Sequence, residues 1–299
     1  MTDTRDFWVV GHVTRDRIRI GDEVRQQPGG AAWYAAHALR SLGETPAVVT
    51  KTARTDRQEL LDGFGQVGIE VTWRPSAATT TFENAYLDAR LERRRQTVDA
   101  VADPFGVEDL ADVRGRLLLL GPLIAADMPI PFLRAAATRG AVGLDAQGMV
   151  RHLADRRIAH GPWQDRDAGL AAVAFLKVDD EEAAVLTGER DPERAAVLLA
   201  ERLGHPPREA VVSRGGRGAL ICADGRLHRI AAFQVAEPVD ATGLGDTFFA
   251  AYLHRRLAGD DAVEAGRFAA ATAALALGRF GPFAGSARDV RGVLAESGA

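Results

Sequence analysis

Asp240-Ala-Thr-Gly-Leu-Gly-Asp246-Thr-Phe-Phe249 gathers the residue types in this chain best suited to chemistry. Gly243 and Gly245 let a backbone come close to a ligand, and the Ala-rich pattern after them reads as the start of a helix. The first amides of a helix have no internal acceptors, and with the helix dipole they form an anion site. Asp246 stands beside that site, where a second negative charge is normally unwelcome. Such a carboxylate makes chemical sense as a base that takes a proton from an attacking hydroxyl. The competing reading is structural: an acid capping a helix after a flexible turn. These residues alone support both.

Other phosphate-handling motifs are missing. Lys51 and Lys177 are the only lysines, and neither follows a glycine run, so there is no Walker-type loop. Phe248 takes the place of the third glycine of a Rossmann fingerprint. No protein-kinase motif set is visible. A phosphate site here would therefore rest on backbone amides and an acid. A formal net charge of -4 gives no electrostatic case for nucleic acid. Cys222 is the only cysteine, which rules out a disulfide within the chain and points to a cytoplasmic setting. No signal peptide is read at the start, and no apolar run nears the about 20 residues that span a bilayer, so no membrane partner is expected. The histidines show no metal-ligand spacing, and His12 and His37 read as structural.

The elements that must carry the acid turn alternate between strand and helix. Residues 230–236 read as a strand leading into the turn, with Pro238 as the break. Residues 7–11 and 47–51 read as strands, and apolar runs without alternation at 117–121, 141–145, 172–178 and 210–213 suit strands buried on both faces of a parallel sheet. Helical patterns lie at 31–42, 58–67, 129–139, 180–188 and 192–203, the first closed by Gly43 and the second by Gly68. This βαβ order predicts a three-layer α/β fold in a single domain over 1–299, with a mostly parallel central sheet. Residues 12–28 and 72–101 are more polar and alternate, which predicts a small β-sheet projecting from the core.

The acid turn resembles the carboxy-terminal motif of the PfkB, or ribokinase-like, carbohydrate kinases. Pro28-Gly29-Gly30-Ala-Ala-Trp-Tyr34 is similar to the family's di-glycine motif, and Val9-Val-Gly-His-Val-Thr-Arg-Asp16 to its opening strand. Leu176-Lys-Val-Asp179-Asp-Glu-Glu182 resembles the segment that organises magnesium, and Val211-Val-Ser213-Arg-Gly215-Gly-Arg-Gly218 the strand and turn beside the nucleotide. These motifs follow the family's order over nearly the whole chain. Tyr34 and Asp179 depart from it, since the family often has Asn at both places.

The resemblance implies ATP-dependent transfer of a phosphoryl group to a hydroxyl of a small sugar or polyol, inositol included. Nucleoside kinase, sugar-phosphate kinase and a non-catalytic ligand-binding relative are the alternatives. Asp246 would be the base, with an anion hole over Ala241, Thr242, Gly243, Leu244 and Gly245. Asp16, Gly29, Gly30, Tyr34, Asp145 and Arg151 would bind substrate. Ser213, Gly215 and Gly218 would join Gly243 and Gly245 at the nucleotide, whose base would lie near 215–218 and 270–282. Asp179 and Glu182 would hold Mg2+ through water, and a monovalent cation such as K+ belongs to the same picture. The 12–28 and 72–101 segments would form a lid over the sugar and a homodimer contact. Arg90, Arg93, Arg94 and Arg95 crowd this lid; on a strand 93 and 95 share a face, suited to a substrate phosphate or to a solvated edge.

Overall fold

In the central strands, alternate side chains enter opposite faces, and both faces are covered. Phe7, Val9, Leu117 and Leu119 pack with helices Ala31–Ser41, Leu244–Ala258 and Ala262–Leu277. Trp8, Val10, Leu118 and Leu120 pack on the other side with helices Ile130–Ala137 and Pro192–Arg202. The period of two places consecutive apolar residues in different cores, so these strands read as unbroken apolar runs. Each fully buried Leu or Val contributes about 1.5–3 kcal/mol of transfer free energy.

The computed structural model describes residues 5–86 and 94–297. Its large sheet runs in the order Arg226–Ile230, Ala219–Ala223, Glu209–Ser213, Phe175–Asp179, Ala141–Asp145, Gly115–Leu120, Arg5–Val10, Ala47–Thr52, Glu70–Pro75. Neighbours are parallel except at the Arg226–Ile230 edge, where the last two pairings are antiparallel. With helices on both faces this is the three-layer α/β arrangement. Among the described residues no helix is long and apolar enough to cross a membrane.

A second sheet runs in the order Arg151–Ala154, Arg157–His160, Arg94–Ala100, Thr81–Tyr86, Thr14–Ile20, Glu23–Gly29. Asp16, Ile18, Phe82, Asn84 and Val98 are buried on one face of it. Arg17 and Arg19, on the alternate positions, form ion pairs with Glu83 at 3.4 and 3.6 Å. Its membership differs from the sequence expectation in two ways. Residues 72–75 belong to the edge of the large sheet, where Val71 and Trp73 pack on the core and the Trp73 indole donates to Thr52 Oγ1. The 151–160 hairpin joins the second sheet, turning through Asp155 and Arg156 at φ 47° and 61°. Asn-Gly or Asp-Gly usually announces such a turn, so Asp-Arg left it unannounced. Arg90 and Arg93 lie outside the described residues, and Arg94 and Arg95 are described only as strand backbone.

The strand before the acid turn also differs. It covers Arg226–Ile230, closed onto Ala219–Ala223 by the two-residue turn Asp224-Gly225, and residues 231–243 have no regular structure. The antiparallel partner ends at Ala219, so pairing stops at Ile230 whatever the apolarity beyond it.

One buried polar cluster ties the helix Leu244–Ala258 to the sheet. Glu209 is fully buried, accepts a hydrogen bond from the Tyr252 hydroxyl, and receives Arg256 Nε at 3.0 Å. Removing the acid strands a guanidinium and a phenol. Glu209→Ala is therefore expected to lower stability by about 3 kcal/mol, read as an earlier midpoint in urea; an unchanged midpoint would show that the cluster is not under load.

Candidate active site

Asp16 sits in the hairpin Thr14–Ile20/Glu23–Gly29, is 4% exposed, and accepts a hydrogen bond from Thr14 Oγ1 at 2.6 Å. The two glycines that follow make that placement feasible. A Cβ on Gly29 would stand 2.3 Å from Asp16 Oδ2, and one on Gly30 would stand 2.3 Å from the His12 carbonyl. Gly30 has φ 87° and caps helix Ala31–Ser41. Tyr34, one turn into that helix, is buried and accepts a hydrogen bond from Gln27 Nε2 at 3.2 Å. Burial, then the carboxylates of Asp16, Asp240 and Asp246, raise its phenol well above the ordinary tyrosine range. Tyr34 therefore stays a neutral hydroxyl.

Its ring also meets the acid turn. Gly243, at φ 73°, is the N-cap of helix Leu244–Ala258, and a Cβ there would lie 2.1 Å from the Tyr34 ring. Asp240, 3% exposed, braces the approach by accepting the Thr242 amide at 2.9 Å. That bond withdraws Thr242 from the expected set of anion-hole amides. The amides of the helix start itself, Leu244 to Asp246, have no intrahelical acceptors.

Lys177, given no site role from the sequence, brings a cation to this turn. It rises from strand Phe175–Asp179, with Nζ 2.9 Å from Asp145 Oδ2. A Cβ on Gly245 would stand 2.8 Å from that Nζ, so the ammonium lies against the first turn of the helix. Burial alone would lower the lysine, but Asp145, Glu182 and Asp246 outweigh it and raise it above its usual value. Lys177 thus stays charged beside the turn. The signal in the sequence was its rarity and its place two residues before Asp179.

One cavity of about 130 Å3 brings Asp16, Gly30, Tyr34, Arg151 and the whole turn 241–246 together. Lys177, Phe82, Asn84, Gln96 and Gln147 complete much of its wall. Several predicted residues stand elsewhere. Gly29 lies behind Asp16, making room for it. Asp145, predicted to bind substrate, holds Lys177 and accepts the Gln147 amide at 3.2 Å. Ser213 donates to the Val178 carbonyl at 3.2 Å. Gly215 and Gly218 bound a tight turn between antiparallel strands, and a Cβ on Gly218 would collide with the Ile230 carbonyl at 1.9 Å. A structural need therefore already accounts for Gly218.

Asp179 and Glu182 form a reciprocal capping box: each carboxylate accepts the other residue's backbone amide at 2.8 Å. Burial pushes the Glu182 carboxyl up to about 7, against the pull of Lys177. Among the described residues no three or more His, Cys, Asp or Glu side chains are grouped to hold a metal. The pair is thus no ready-made cage. Magnesium would have to enter mainly with phosphate oxygens and water, as that ion commonly does.

The chain matches the pfkB family carbohydrate kinases over residues 5–287. It is 28% identical over 278 residues to inositol 3-kinase of Oryza sativa subsp. japonica, covering 86% of this chain and 64% of that protein. It is 34% identical over 107 residues to ribokinase of Bacillus subtilis (strain 168), 36% of this chain and 34% of that one. It thus spans less than two thirds of the length of these curated relatives. Among solved structures, a sulfate complex of a pyrophosphate-dependent kinase in the ribokinase family superposes with TM-score 0.85 at 25% identity, over 95% of this chain and 99% of that one. Arabidopsis thaliana ribokinase complexed with ribose and ATP shares the fold at TM-score 0.77 and 19% identity, over 98% and 99%. With its di-glycine motif and acid turn brought onto one cavity, the chain belongs to the pfkB family of carbohydrate kinases.

Proposed function

We propose that this chain transfers the terminal phosphoryl group of ATP to a hydroxyl of a small sugar or cyclic polyol. The observation that carries the reading is the convergence on one cavity of an acid, a helix start and a buried ammonium: Asp246, residues 243–246 and Lys177. The acceptor hydroxyl gives its proton to Asp246 as its oxygen bonds to the γ-phosphorus. The bond from that phosphorus to the bridging oxygen breaks, and ADP leaves with the electron pair. Charge on the moving group is met by the helix amides and by Lys177. Asp16 accepts hydrogen bonds from acceptor hydroxyls. Arg151 lines the same cavity and suits phosphate oxygens.

Magnesium would reach the site with the donor phosphates, near Asp179 and Glu182, and would neutralise phosphate charge there. A monovalent cation such as K+ beside the buried Asp240 carboxylate belongs to the same reading. Expected partners are the acceptor and ATP. A homodimer through the lid would have to cover Arg17, Arg19 and Glu83. An inositol-like acceptor is favoured by the rice relative and by the cavity, which is small and ringed by hydroxyl-binding groups.

A second reading of the donor has its own support. Two cations, Lys177 and Arg151, face the cavity, and a relative of known structure is named as pyrophosphate-dependent. Inorganic pyrophosphate would use the same amides and the same base.

The test is phosphotransfer with ATP or pyrophosphate, plus Mg2+, against sugars, cyclitols, nucleosides and sugar phosphates. Product formation is expected only when a hydroxyl acceptor is added. Activity with ATP and none with pyrophosphate would decide for the nucleotide; the reverse would decide for the second reading. Asp246→Asn is expected to lower kcat by about 10³-fold; near-normal turnover would remove the base assignment. Lys177→Met should lower kcat by about 10²-fold with a much smaller change in acceptor KM. A rise in KM alone would move Lys177 from the transition state to ground-state binding.

A further inference from the structure

We infer that Arg25 and Phe280 form a latch, a pair of positioning residues that seats the hairpin Thr14–Ile20/Glu23–Gly29 on the acid-turn side of the core. This rests on the kinase reading above and deepens it. In the hairpin Gln27 lies opposite Asp16, and Arg25 opposite Ile18. Opposed residues of an antiparallel pair share a face, and Asp16 and Ile18 are buried. Arg25 therefore stands on the inner face, one step outward from Asp16. Its guanidinium carbon lies 4.2 Å from the centre of the Phe280 ring.

Phe280 belongs to the 278–286 segment between helices Ala262–Leu277 and Ala287–Glu296. That segment is fastened on both sides of the ring. Before it, the Leu277 carbonyl accepts the amides of Val239 and Asp240 at 2.8 and 3.3 Å, on the approach to the acid turn. After it, Phe283 is buried and its carbonyl accepts Ser41 Oγ at 3.0 Å. A lone exposed apolar residue needs no explanation by itself. What distinguishes Phe280 is a cation from the second sheet laid over its face.

The two edges of the second sheet meet the core differently. At one edge the Ala125 amide donates to the Arg151 carbonyl at 2.9 Å. The other edge is strand Glu23–Gly29, held near its end by Gln27 on the Tyr34 hydroxyl at 3.2 Å. Residues 21–26 of this hairpin are exposed, and the contact with Phe280 ties that exposed half to the core. Asp16 rides on the hairpin and Asp246 on helix Leu244–Ala258. How the hairpin seats thus sets how the acid that holds the acceptor faces the base that takes its proton. A cation over an exposed ring is a weak contact, worth about two- to fivefold in an equilibrium. Weakness suits a latch that must part and re-form in every turnover.

An unlatched hairpin lets water compete with the acceptor. A water oxygen then bonds to the terminal phosphorus and its proton goes to Asp246. The bond to the bridging oxygen breaks, the leaving group keeps the electron pair, and inorganic phosphate forms in place of the sugar phosphate. The experiment counts donor consumed per phosphorylated acceptor formed, with ATP or pyrophosphate, whichever the wild type uses. It compares wild type with Arg25→Gln, Phe280→Leu, the double variant and Arg25→Lys. Both side chains are about half-exposed, so thermal melts should match wild type. Arg25→Gln and Phe280→Leu are each expected to raise the hydrolysed share of donor about two- to fivefold. The double variant should be no worse than the worse single one, because both remove the same contact. Arg25→Lys keeps the cation and should stay near wild type. A wild-type share in the folded single variants, or a double variant whose effect is the product of the two, would overturn the latch and leave the kinase standing. A wild-type chain without phosphotransfer to any acceptor would defeat the kinase reading, and the latch with it.

Discussion

The site depends on one ion pair, Lys177 with Asp145, buried beneath the first turn of the helix Leu244–Ala258. Moving an ammonium out of water costs several kcal/mol, and a close carboxylate is what makes it tolerable. Asp145 does that from the end of the neighbouring parallel strand. The reward is positional. A buried cation held by a close carboxylate stands beside the first amides of a helix. In the proposed phosphoryl transfer, developing charge would meet a prepared environment.

Parallel strands make this arrangement possible. Asp145, Asp179 and Ser213 close consecutive strands of the large sheet at the same edge. Ligand sites in such folds gather there because the loops leaving the strands converge. The same edge explains the packing of Tyr34 on Gly243. Helix Ala31–Ser41 and helix Leu244–Ala258 cover one face of the sheet together, so a side chain from one meets the N-terminus of the other. An aromatic ring where the family often has Asn both shapes the cavity and leaves no room for a side chain at position 243.

The second sheet follows a different rule. It has one buried face and one charged face, so its strands alternate, whereas those of the core do not. Its inner face brings an apolar floor and two amides to the cavity; its outer face carries ion pairs with Glu83. The proposed phosphoryl transfer would need water kept from the donor, and a wall with an apolar floor suits that end.

Much of this was legible in the residues in order along the chain. The alternation of apolar runs and helical patterns determined the three-layer fold. The glycines at 29, 30, 243 and 245, with Asp16 and Asp246, marked the site because turns and helix starts impose local requirements that one stretch of sequence can display. Asp179 and Glu182 were legible as a pair, but their spacing equally suits a capping box, and that is the arrangement they take. Asn84 and Gln96 carried no local mark, and Lys177 only its rarity and its place before Asp179. Their place on the cavity wall comes from which strands become neighbours, as does the pairing of Asp145 with Lys177. The 151–160 hairpin was hidden because an Asp-Arg turn lacks the usual glycine. Local chemistry is written in adjacent residues; the partners of a buried charge are chosen by strand order and register, which only the folded chain decides.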